Sequence, residues 1–293
     1  MIARGAAGLR LATRTSALAR AQSDIAIAAL QRHGATGIEL VPLTTSGDRQ
    51  AETPLQRLEG QGWFTAELER SLLDGRADIA VHSAKDLPSA LAPGLVIAAL
   101  LPRGDARDAA VTRDASRLGD LPAGATVGTS SARRIAFLAA DHPALRPVAM
   151  RGNVDTRLRK LDAGQVDALV LACAGLERLG VRRRYEALDP GVFVPAPAQG
   201  AIALEAREAS VAASLCAAVA DAATAACVRA ERAVLAALGG GCLLPLGAYA
   251  RREADQLVLT AAFTEDGGIR RAELTGDPEQ PERLGAAVAA LLR

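Results

Sequence analysis

Hydrophobic and polar residues repeat along the first two thirds of the chain with two different periods. Short apolar runs, such as ADIAV at 77–81, predict buried strands, whereas apolar residues three or four positions apart, as at 16–34, predict helices. Strand-like and helix-like runs alternate, which is typical of a mostly parallel sheet packed between helices. The same rhythm restarts with DAAVTR at 108–113. The pattern therefore predicts two α/β lobes.

The pattern changes after Pro190. A proline-rich stretch leads into a strand, an alanine-rich helix runs from about Ala222 to Leu238, and the alternation from Gly247 predicts an antiparallel sheet with a Gly-Gly turn. A helix from Pro281 closes this part, so we expect a small α+β domain with an antiparallel sheet. The predicted domains are lobe 1 at 1–101, completed by the returning segment 201–219, lobe 2 at 102–200 and the third domain at 220–293.

The two predicted lobes resemble each other in sequence. LLDGRADIAVHS at 72–83 and LDAGQVDALVLA at 161–172 share a helix end, a glycine, an aspartate and a strand, so that Asp78 corresponds to Asp167. LATRTSALAR and VGTSSARRIA both end a strand in Thr and Ser before a helix. Shared ancestry would explain this likeness, and so would the sequence patterns that α/β folds have in common. In either case we expect two similar lobes that face each other across a cleft.

Composition narrows the class of protein. A net charge of +1 argues against nucleic-acid binding through overall basicity, and no apolar run approaches the roughly 18 residues that a membrane span needs. MIARGAAGLRLATR contains no secretory signal. The four cysteines include no CxxC pair, and together with the three histidines they show no zinc-binding spacing. This use of cysteine favours a reducing compartment. We expect a cytoplasmic protein, by default a monomer, that binds no metal, nucleic acid or membrane.

Candidate binding residues lie where ligands bind in open parallel sheets, beyond the carboxyl ends of the strands. Only two of the 34 basic residues are lysines, so planar guanidinium groups would do most of the binding of any carboxylate or phosphate. The candidates at these strand ends and at the helices beyond them are Arg14, Ser16, Lys85, Asp86, Thr129, Ser131, Arg133, Arg134, Arg151, Arg157 and Arg178.

The pair Arg133 and Arg134 lies in the first turn of a predicted helix. The helix dipole disfavours a cation there by roughly 0.3–1 kcal/mol, so either the side chains bend away into solvent or a bound anion offsets their charge. Arginines also stand at two further helix starts, Arg14 and Arg151. One ligand with several carboxylates or phosphates explains this repetition better than separate solvated side chains do.

Lys85 and Asp86 directly follow a predicted buried strand. They could form a surface ion pair before Pro88, or Asp86 could stay ionised among the cations and stabilise a developing positive charge, accept N–H hydrogen bonds or transfer a proton. His82 and His142 are candidate general bases, although a structural role fits His82 better and a surface position fits His142 better. The sequence contains no Ser-His-Asp pattern, GxGxxG loop or Walker loop.

Cys242 ends a glycine-rich loop, GGGC at 239–242, beyond the end of a predicted helix. The carboxyl end of a helix raises the pKa of a thiol, which suits a thiol that reacts once and stays bonded rather than a nucleophile that turns over. Cys173, Cys216 and Cys227 lie in apolar segments and are expected to be small buried side chains. Cys242 is therefore a candidate covalent anchor.

Six stretches of the chain, in this order, resemble the porphobilinogen deaminase family of tetrapyrrole biosynthesis: LATRTSALARAQ, HSAKDLP, GTSSARR, RGNVDTRLRKLDAG, PAPAQGAIALEAR and AERAVLAALGGGCLLPLGAYA. The resemblance covers nearly the whole chain. It implies three domains, of which the first two are like the lobes of a periplasmic binding protein and the third carries a dipyrromethane cofactor. In this family a thioether links the cofactor to the cysteine of the GGC loop, here Cys242.

The resemblance also implies the reaction and the roles of the candidate residues. Four porphobilinogen molecules are condensed head to tail onto the dipyrromethane, each losing ammonia, and hydrolysis releases the linear tetrapyrrole hydroxymethylbilane. Asp86 would be the catalytic aspartate that stabilises the azafulvene cation left by the loss of ammonia. The cofactor-binding residues would be Cys242, Lys85, Asp86, Thr129, Ser131, Arg133 and Arg134. The substrate-binding residues would be Arg14, Ser16, Arg151, Arg157 and Arg178.

Two features depart from the family pattern. Ala198 stands where the family usually has glycine, so the connection between the lobes is expected to differ slightly. Gln61 and Ala66 stand where the family often has lysines, so the loop around them is expected to lack lysine contacts. A second hypothesis is a cytoplasmic two-lobed binding protein for a small oxyanion or organic acid. The third domain with its GGGC loop favours the enzyme, because a two-lobed binder has no use for it.

Overall fold

The computed structural model describes residues 8–49, 63–240, 244–265 and 268–293. The chain forms two units, each compact in itself. The described residues of the first unit are 8–49, 63–104 and 201–225, and those of the second unit are 105–200, 226–240, 244–265 and 268–293. The second unit thus contains most of the predicted lobe 2 and most of the predicted third domain. The division into three domains stays a prediction.

The described residues form the strands and helices that the hydrophobic periodicity predicts, together with several shorter ones. The strands are β1 (Arg10–Arg14), β2 (Glu39–Leu43), β3 (Ile79–Ser83), β4 (Leu95–Leu100), β5 (Asp108–Thr112), β6 (Thr126–Gly128), β7 (Arg146–Val148), β8 (Ala168–Ala172), β9 (Glu186–Ala187), β10 (Ile202–Arg207), β11 (Leu246–Glu253), β12 (Gln256–Glu265) and β13 (Gly268–Gly276). The helices are α1 (Ala17–Arg32), α2 (Ser46–Arg49), α3 (Ala66–Leu73), α4 (Ala132–Asp141), α5 (Val154–Asp162), α6 (Cys173–Arg178), α7 (Val211–Ala217), α8 (Ala222–Ala237) and α9 (Pro281–Leu292).

The first unit is built on a five-stranded sheet with the strand order β2-β1-β3-β10-β4. Leu11 of β1 and Ile79 of β3 pack with Leu30 of α1 on one face of this sheet. On the other face, Ala12 of β1 packs with Leu68 of α3. Because helices cover both faces, the central strand β3 is a continuous buried run rather than an alternation of buried and exposed residues.

The second unit contains a five-stranded sheet with the order β7-β6-β8-β5-β9. In each of the two sheets the first three strands in the order are parallel, and the fourth, β10 or β5, pairs antiparallel with both of its neighbours. Four of the five strands therefore run in one direction, and a single reversed strand makes each sheet mixed. The predicted α/β class is confirmed.

Asp78 and Asp167 occupy the same position in the two sheets. Each precedes a central strand, β3 or β8, and its carboxylate accepts the backbone N–H of the first residue of the neighbouring strand, from Arg10 at 2.9 Å and from Thr126 at 2.8 Å. Each aspartate also donates its own N–H to the carbonyl of that residue, at 2.8 and 3.0 Å. The predicted correspondence is confirmed, because both aspartates tie together the starts of two parallel strands in the same way.

The carboxyl-terminal part of the second unit is an antiparallel sheet in the order β11-β12-β13, packed against α8 and α9. Leu257 and Leu259, alternate residues of β12, are fully buried with Val234 of α8 and Val288 of α9. This arrangement confirms the antiparallel sheet predicted from alternation. The predicted Gly-Gly turn includes Gly267, which lies outside the described residues.

Helices α7 and α8 follow each other closely in the sequence. Taken together, the two meet the length and composition of a membrane-spanning segment. In the part of the chain that the structure describes, no single helix is long and apolar enough to cross a membrane.

Candidate active site

Four of the candidate residues lie at one edge of the first sheet. β1 and β3 are parallel neighbours, so their carboxyl ends meet at the same edge. Arg14 ends β1, and Ser16 caps α1 by accepting the N–H of Ala19 at 3.3 Å. Lys85 and Asp86 lie in the 3-10 turn that follows β3. This edge therefore combines two cations, a hydroxyl and a carboxylate.

A backbone hydrogen bond at one end and a buried residue at each end anchor the turn that carries Asp86. The N–H of Ala84 donates to the carbonyl of Ala201 at 3.0 Å, and the N–H of Leu87 donates to the carbonyl of Ala84 at 3.3 Å. Ala84 and Leu87 are buried, whereas Lys85 and Asp86 between them are half-buried. Both charged side chains therefore stand on a turn that is held at its two ends.

Arg14 is half-buried and already has an internal partner. Its guanidinium forms a two-point ion pair with Asp48 of α2, and its Cζ lies 4.4 Å from the centre of the Phe64 ring. Burial raises the pKa of Asp48, but hydrogen bonds from Arg14 and Thr45 outweigh burial and hold the pKa below its usual value. Asp48 is therefore ionised at neutral pH. Nothing in the sequence pattern identified Asp48 as the partner of Arg14.

His82 is buried and lies on β3, just before the turn that carries Asp86. Its Nε2 lies 3.0 Å from Oε2 of Glu205 on β10, and both side chains are almost fully enclosed. Burial, and then the charge of Glu205, raises the pKa of the half-buried Glu69 on α3. A buried imidazole that faces a carboxylate fits the structural role expected for His82. His142 ends α4, where its backbone N–H donates to the carbonyl of Leu138 at 2.8 Å.

The other described candidates lie at the equivalent edge of the second sheet. The carboxyl ends of β6, β7 and β8 meet there because these strands are parallel neighbours. Thr129 and Ser131 follow β6, Arg133 and Arg134 lie in α4, Arg151 follows β7, Arg157 lies in α5, and Arg178 ends α6. Ser131 caps α4, as Ser16 caps α1, and the Thr129 hydroxyl accepts the N–H of Ser131 at 3.3 Å. The structure thus brings together four candidates in the first unit and seven in the second.

Arg133 and Arg134 turn inward and share one carboxylate. Arg133 Nη1 lies 2.7 Å from Oδ2 of Asp108, the first residue of β5, and Arg134 donates Nε and Nη2 to Oδ1 at 3.0 and 2.6 Å. The side chain of Asp108 is fully buried, and those of Arg133 and Arg134 are only 3% and 8% exposed. Burial raises the pKa of Asp108, but the two guanidinium charges outweigh burial and hold the pKa well below its usual range.

This arrangement differs from both expectations for the arginine pair. The side chains are not solvated, and an internal carboxylate already offsets part of their charge. Arg133 also donates Nη1 to the carbonyl of Val194 at 2.7 Å, and its Cζ lies 5.8 and 5.7 Å from the ring centres of Phe137 and Phe193. Asp108 was not predicted from the sequence. The signal available for it is a single acidic residue at the start of an apolar strand. A carboxylate-binding role for the arginine pair stays a prediction.

The proline-rich stretch before β10 is bonded to the same group of side chains. Gln199 donates Nε2 to Oδ1 of Asp108 at 3.1 Å. Arg178 donates Nη2 to the carbonyl of Gly200 at 2.5 Å, and burial lowers the pKa of Arg178. Two of the predicted ligand-binding arginines, Arg133 and Arg178, therefore also hold carbonyl groups of this connection.

Ala198 adopts a backbone that explains why the family usually has glycine at this position. Its φ is 62°, in the left-handed region that costs an alanine roughly 1–2 kcal/mol. Its N–H donates to Oε2 of the fully buried Glu231 at 2.6 Å, and Oε1 of Glu231 accepts the N–H of Ala250 at 2.7 Å. Glu231 thus ties α8 both to the connection and to β11.

No carboxylate contributes to the shift in the pKa of Arg157 or of Arg151. Of these two candidate arginines, Arg157 is the more strongly desolvated. Its Nε donates to the carbonyl of Gly152 at 2.7 Å, and Gly152 has a left-handed φ of 109°. Burial, and then the positive charges of Arg134 and Arg151, lower the pKa of Arg157 to about 10. Burial also lowers the pKa of Arg151. A carboxylate ligand would offset both the burial and the repulsion, so this donor set fits a cofactor or substrate that bears several carboxylates.

Three of the four cysteines are buried thiols, as expected. Burial raises the pKa of Cys173 and of Cys216 to about 12, and Cys227 is buried as well. Cys242, the candidate anchor, lies outside the described residues. Within the described ranges, no group of three or more His, Cys, Asp or Glu side chains could hold a metal ion.

The loop around residues 60–66 is described only in part. Gln61 lies outside the described residues. Ala66 is the first residue of α3 and its side chain is half-buried. The absence of lysine contacts from this loop stays a prediction.

Two family models match almost the whole chain. Residues 9–214 match "Porphobilinogen deaminase, dipyromethane cofactor binding domain", and residues 225–293 match "Porphobilinogen deaminase, C-terminal domain". The chain belongs to the porphobilinogen deaminase family. Because the second match covers the carboxyl-terminal part, the comparison selects the deaminase over the two-lobed binding protein.

Proteins named porphobilinogen deaminase from several bacteria are similar to the chain over nearly its full length. The relative from Methylobacillus flagellatus is 45% identical over 97% of this chain and 93% of its own length. The relative from Acidothermus cellulolyticus is 48% identical, covering 96% of this chain and 87% of its own. The relative from Bordetella parapertussis is 47% identical, covering 96% and 91%.

Solved structures of periplasmic proteins resemble the chain only distantly. The periplasmic VFT2 domain of BvgS from Bordetella pertussis has a TM-score of 0.43 and 17% identity over 72% of this chain and 86% of that domain. The periplasmic aliphatic sulphonate binding protein SsuA from Escherichia coli has a TM-score of 0.41 and 15% identity over 80% of this chain and 76% of that protein. The assignment to the deaminase family rests on the sequence relatives.

Proposed function

We propose that this chain is a transferase that condenses four porphobilinogen molecules head to tail, releases ammonia at each step and frees the linear tetrapyrrole hydroxymethylbilane by hydrolysis. The observation that carries the proposal is the match of both deaminase domains, at 9–214 and 225–293, to nearly the entire chain. Relatives of that name at 45–48% identity support it. Each candidate residue is then assigned either to binding carboxylates or to stabilising positive charge.

Cys242 is the residue to which we assign the dipyrromethane cofactor. When bound, the cofactor supplies the acceptor to which porphobilinogen units are added. Cys242 follows α8 in the GGGC loop, and Gly239, the first glycine of that loop, has a left-handed φ of 69°. The GGGC loop belongs to the stretch of sequence that resembles the family, and this resemblance implies a thioether at its cysteine.

The basic residues of the second unit are proposed to bind the acetate and propionate carboxylates of the pyrrole rings. Arg134, Arg151 and Arg157 lie close enough together for their charges to lower the pKa of Arg157. A charge-assisted hydrogen bond contributes about 1.5–3 kcal/mol, so such a cluster favours a ligand with several carboxylates over one with a single carboxylate. The hydroxyls of Thr129 and Ser131 already accept backbone N–H groups, so each can donate its own O–H to a carboxylate.

The candidates of the first unit are proposed to act where ammonia leaves. Arg14, Ser16 and Lys85 bind carboxylates of porphobilinogen or of the cofactor at the edge of the first sheet. Asp86 keeps a carboxylate beside the ring that becomes positively charged as ammonia departs, and it accepts pyrrole N–H hydrogen bonds. Because the turn that carries Asp86 is anchored at both ends, this charge needs little reorganisation to stabilise the cation.

The proposed cellular compartment and partners are inferred from the composition of the chain. The near-neutral net charge of +1 and the cysteines without paired spacing favour an enzyme of the cytoplasm that acts without nucleic acid, membrane or metal. We propose that it acts as a monomer.

A product assay tests the proposal. Incubation with porphobilinogen should yield four molecules of ammonia for each linear tetrapyrrole. Asp86→Ala should lose turnover by at least about a hundredfold and still take up cofactor from preassembled tetrapyrrole, because Asp86 acts on charge rather than on folding. Asp74→Ala removes an acid exposed at the end of α3 and should leave turnover unchanged. Binding of porphobilinogen without release of ammonia would favour the binding protein, and near-normal turnover of Asp86→Ala would remove Asp86 from catalysis.

A further inference from the structure

We propose that Asp48 is a positioning residue of the carboxylate site: it holds the guanidinium of Arg14 by one edge, so that the opposite edge is presented to a carboxylate of the substrate. The inference rests on the proposed substrate-binding role of Arg14. It adds a residue that does not itself touch the substrate and that acts through Arg14.

The ion pair uses only one side of the guanidinium. Arg14 donates Nε to Oδ2 of Asp48 at 3.1 Å, and its Nη2 pairs with Oδ1. Among the described residues, Nη1 of Arg14 has no hydrogen-bond acceptor. A guanidinium can bind one carboxylate through Nε and Nη2 and a second through Nη1 and Nη2. The Asp48 pair therefore leaves the outer edge of Arg14 available to a ligand.

Phe64 fixes the plane of the same guanidinium. The ring centre lies 4.4 Å from Arg14 Cζ, within the range of a cation–π contact. The ring packs directly on Gly47, where an added Cβ would lie 2.2 Å from Phe64 Cε1. In addition, the N–H of Gly47 donates to the carbonyl of Trp63 at 2.8 Å. The segment that carries Asp48 and the ring that covers Arg14 are thus held against each other.

Asp48 is itself held in place. Its Oδ2 accepts the hydroxyl of Thr45 at 2.8 Å and the N–H of Thr45 at 3.2 Å, in addition to Nε of Arg14. The side chains of Arg14 and Asp48 are 19% and 12% exposed, so solvent screens the pair only in part. A half-buried ionised carboxylate that accepts four hydrogen bonds is held firmly enough to keep one cation in place.

A second Arg–Asp pair on the same strand provides a matched control. Arg10, at the opposite end of β1, donates Nε to Oδ2 of Asp78 at 3.1 Å and Nη2 to Oδ1 at 3.0 Å, which is the same two-point geometry. This pair lies at the amino end of β1, away from the edge where the candidate ligand-binding residues stand. Asp78 also pairs with Arg207 of β10 at 3.3 Å, so loss of Asp78 removes at least as much ion pairing as loss of Asp48, but only the pair at the carboxyl end of β1 should affect substrate binding.

The main test compares Asp48→Asn with Asp78→Asn in the holoenzyme. For Asp48→Asn we expect KM for porphobilinogen to rise about tenfold with kcat within about twofold of wild type, because the carboxylate contact is misplaced and Asp86 is not. Asp78→Asn should leave KM unchanged. Intact mass should show the cofactor fully loaded in both variants, which separates substrate binding from cofactor attachment. An unchanged KM for Asp48→Asn would overturn the inference.

A double-mutant cycle distinguishes action through Arg14 from a separate structural role. In an Arg14→Ala background, Asp48→Asn should change KM by less than about twofold, whereas multiplicative effects would contradict the inference. If Arg14→Ala alone leaves KM unchanged, the proposed role of Arg14 fails, and the positioning role fails with it. If Arg14→Ala raises KM but Asp48→Asn does not, only the positioning role fails. Should Asp48→Asn not fold, Thr45→Val, which removes one donor from Asp48, should raise KM severalfold, and no rise would refute the inference.

Discussion

Asp108→Asn removes the negative charge that Arg133 and Arg134 share, with almost no change in side-chain volume. Both guanidinium groups then remain in a buried place with an amide as their neighbour. Gln199, which donates Nε2 to Asp108 Oδ1 at 3.1 Å, would keep at most a weaker acceptor. We expect the variant to be much less stable than the wild type.

The exposure of the three side chains sets the size of the effect. Exposed ion pairs contribute about 0.2–1 kcal/mol, whereas removal of one partner from a buried pair costs about 3–5 kcal/mol because an uncompensated charge is left behind. Exposures of 0%, 3% and 8% for Asp108, Arg133 and Arg134 belong to the buried class. We therefore expect the free energy of unfolding to fall by about 3–5 kcal/mol, which is about a hundredfold to several thousandfold in the unfolding equilibrium.

Urea unfolding of the holoenzyme, followed by circular dichroism, measures this loss. Asp105→Asn is the matched control, because Asp105 pairs with Arg107, whose side chain is 45% exposed, and should cost at most about 1 kcal/mol. A loss for Asp108→Asn that is no larger than the loss for Asp105→Asn would refute the role of Asp108 as the shared counter-ion of two buried cations.

The same variant has a pH signature. The pKa of Asp108 is lower in the folded protein than in the unfolded chain, where it is about 3.9, so its stabilisation is fully present above that pKa and is lost as the pH falls toward the folded value. Stability of the wild type should therefore decline below about pH 4 more steeply than stability of Asp108→Asn. Equal slopes for the two proteins would contradict the direction of the Asp108 pKa shift.

Three further predictions concern single residues. Arg157→Gln should raise KM for porphobilinogen about tenfold to a hundredfold, since a charge-assisted contact is lost, while Arg159→Gln on the exposed side of α5 should not; equal KM values in initial-rate assays would remove Arg157 from the site. Ala198→Gly should raise the free energy of unfolding by about 0.5 kcal/mol, because relief of the left-handed backbone exceeds the entropy cost of glycine; a urea titration that shows a loss of stability would contradict this. Cys173 and Cys216, each with a pKa of about 12, should stay unmodified by iodoacetamide at pH 8 in the native enzyme, and rapid labelling in peptide mass maps would show that they are not buried thiols.

Elements with a local signal could be predicted from the sequence. The buried run of β3, the alternation of exposed and half-buried residues over 271–276 of β13 and the Ser131 cap of α4 are each encoded within a few neighbouring residues. The four-residue helix α2 and the two-residue strand β9 are too short to show a period. The reversed direction of β5 and β10 could not be predicted either, because an apolar run has the same pattern in both directions.

Local sequence patterns were also insufficient to predict the whole candidate site. The rule that ligands bind beyond the carboxyl ends of strands singled out Arg14 and Arg134, and the structure places both at the carboxyl-end edges of their sheets. Their partners Asp48 and Asp108 lie 34 and 26 positions away in the sequence, so no local pattern links them. Sequence therefore identified where positive charge gathers, but not which internal carboxylates hold it in place.

The intact mass of the purified protein is the most direct test of a covalent cofactor on Cys242. We predict that an active preparation exceeds the mass of the polypeptide by two pyrrole units, and that Cys242→Ser abolishes both this excess and the activity while Cys227→Ser keeps both. Unmodified polypeptide in an active preparation, or a retained adduct in Cys242→Ser, would contradict it.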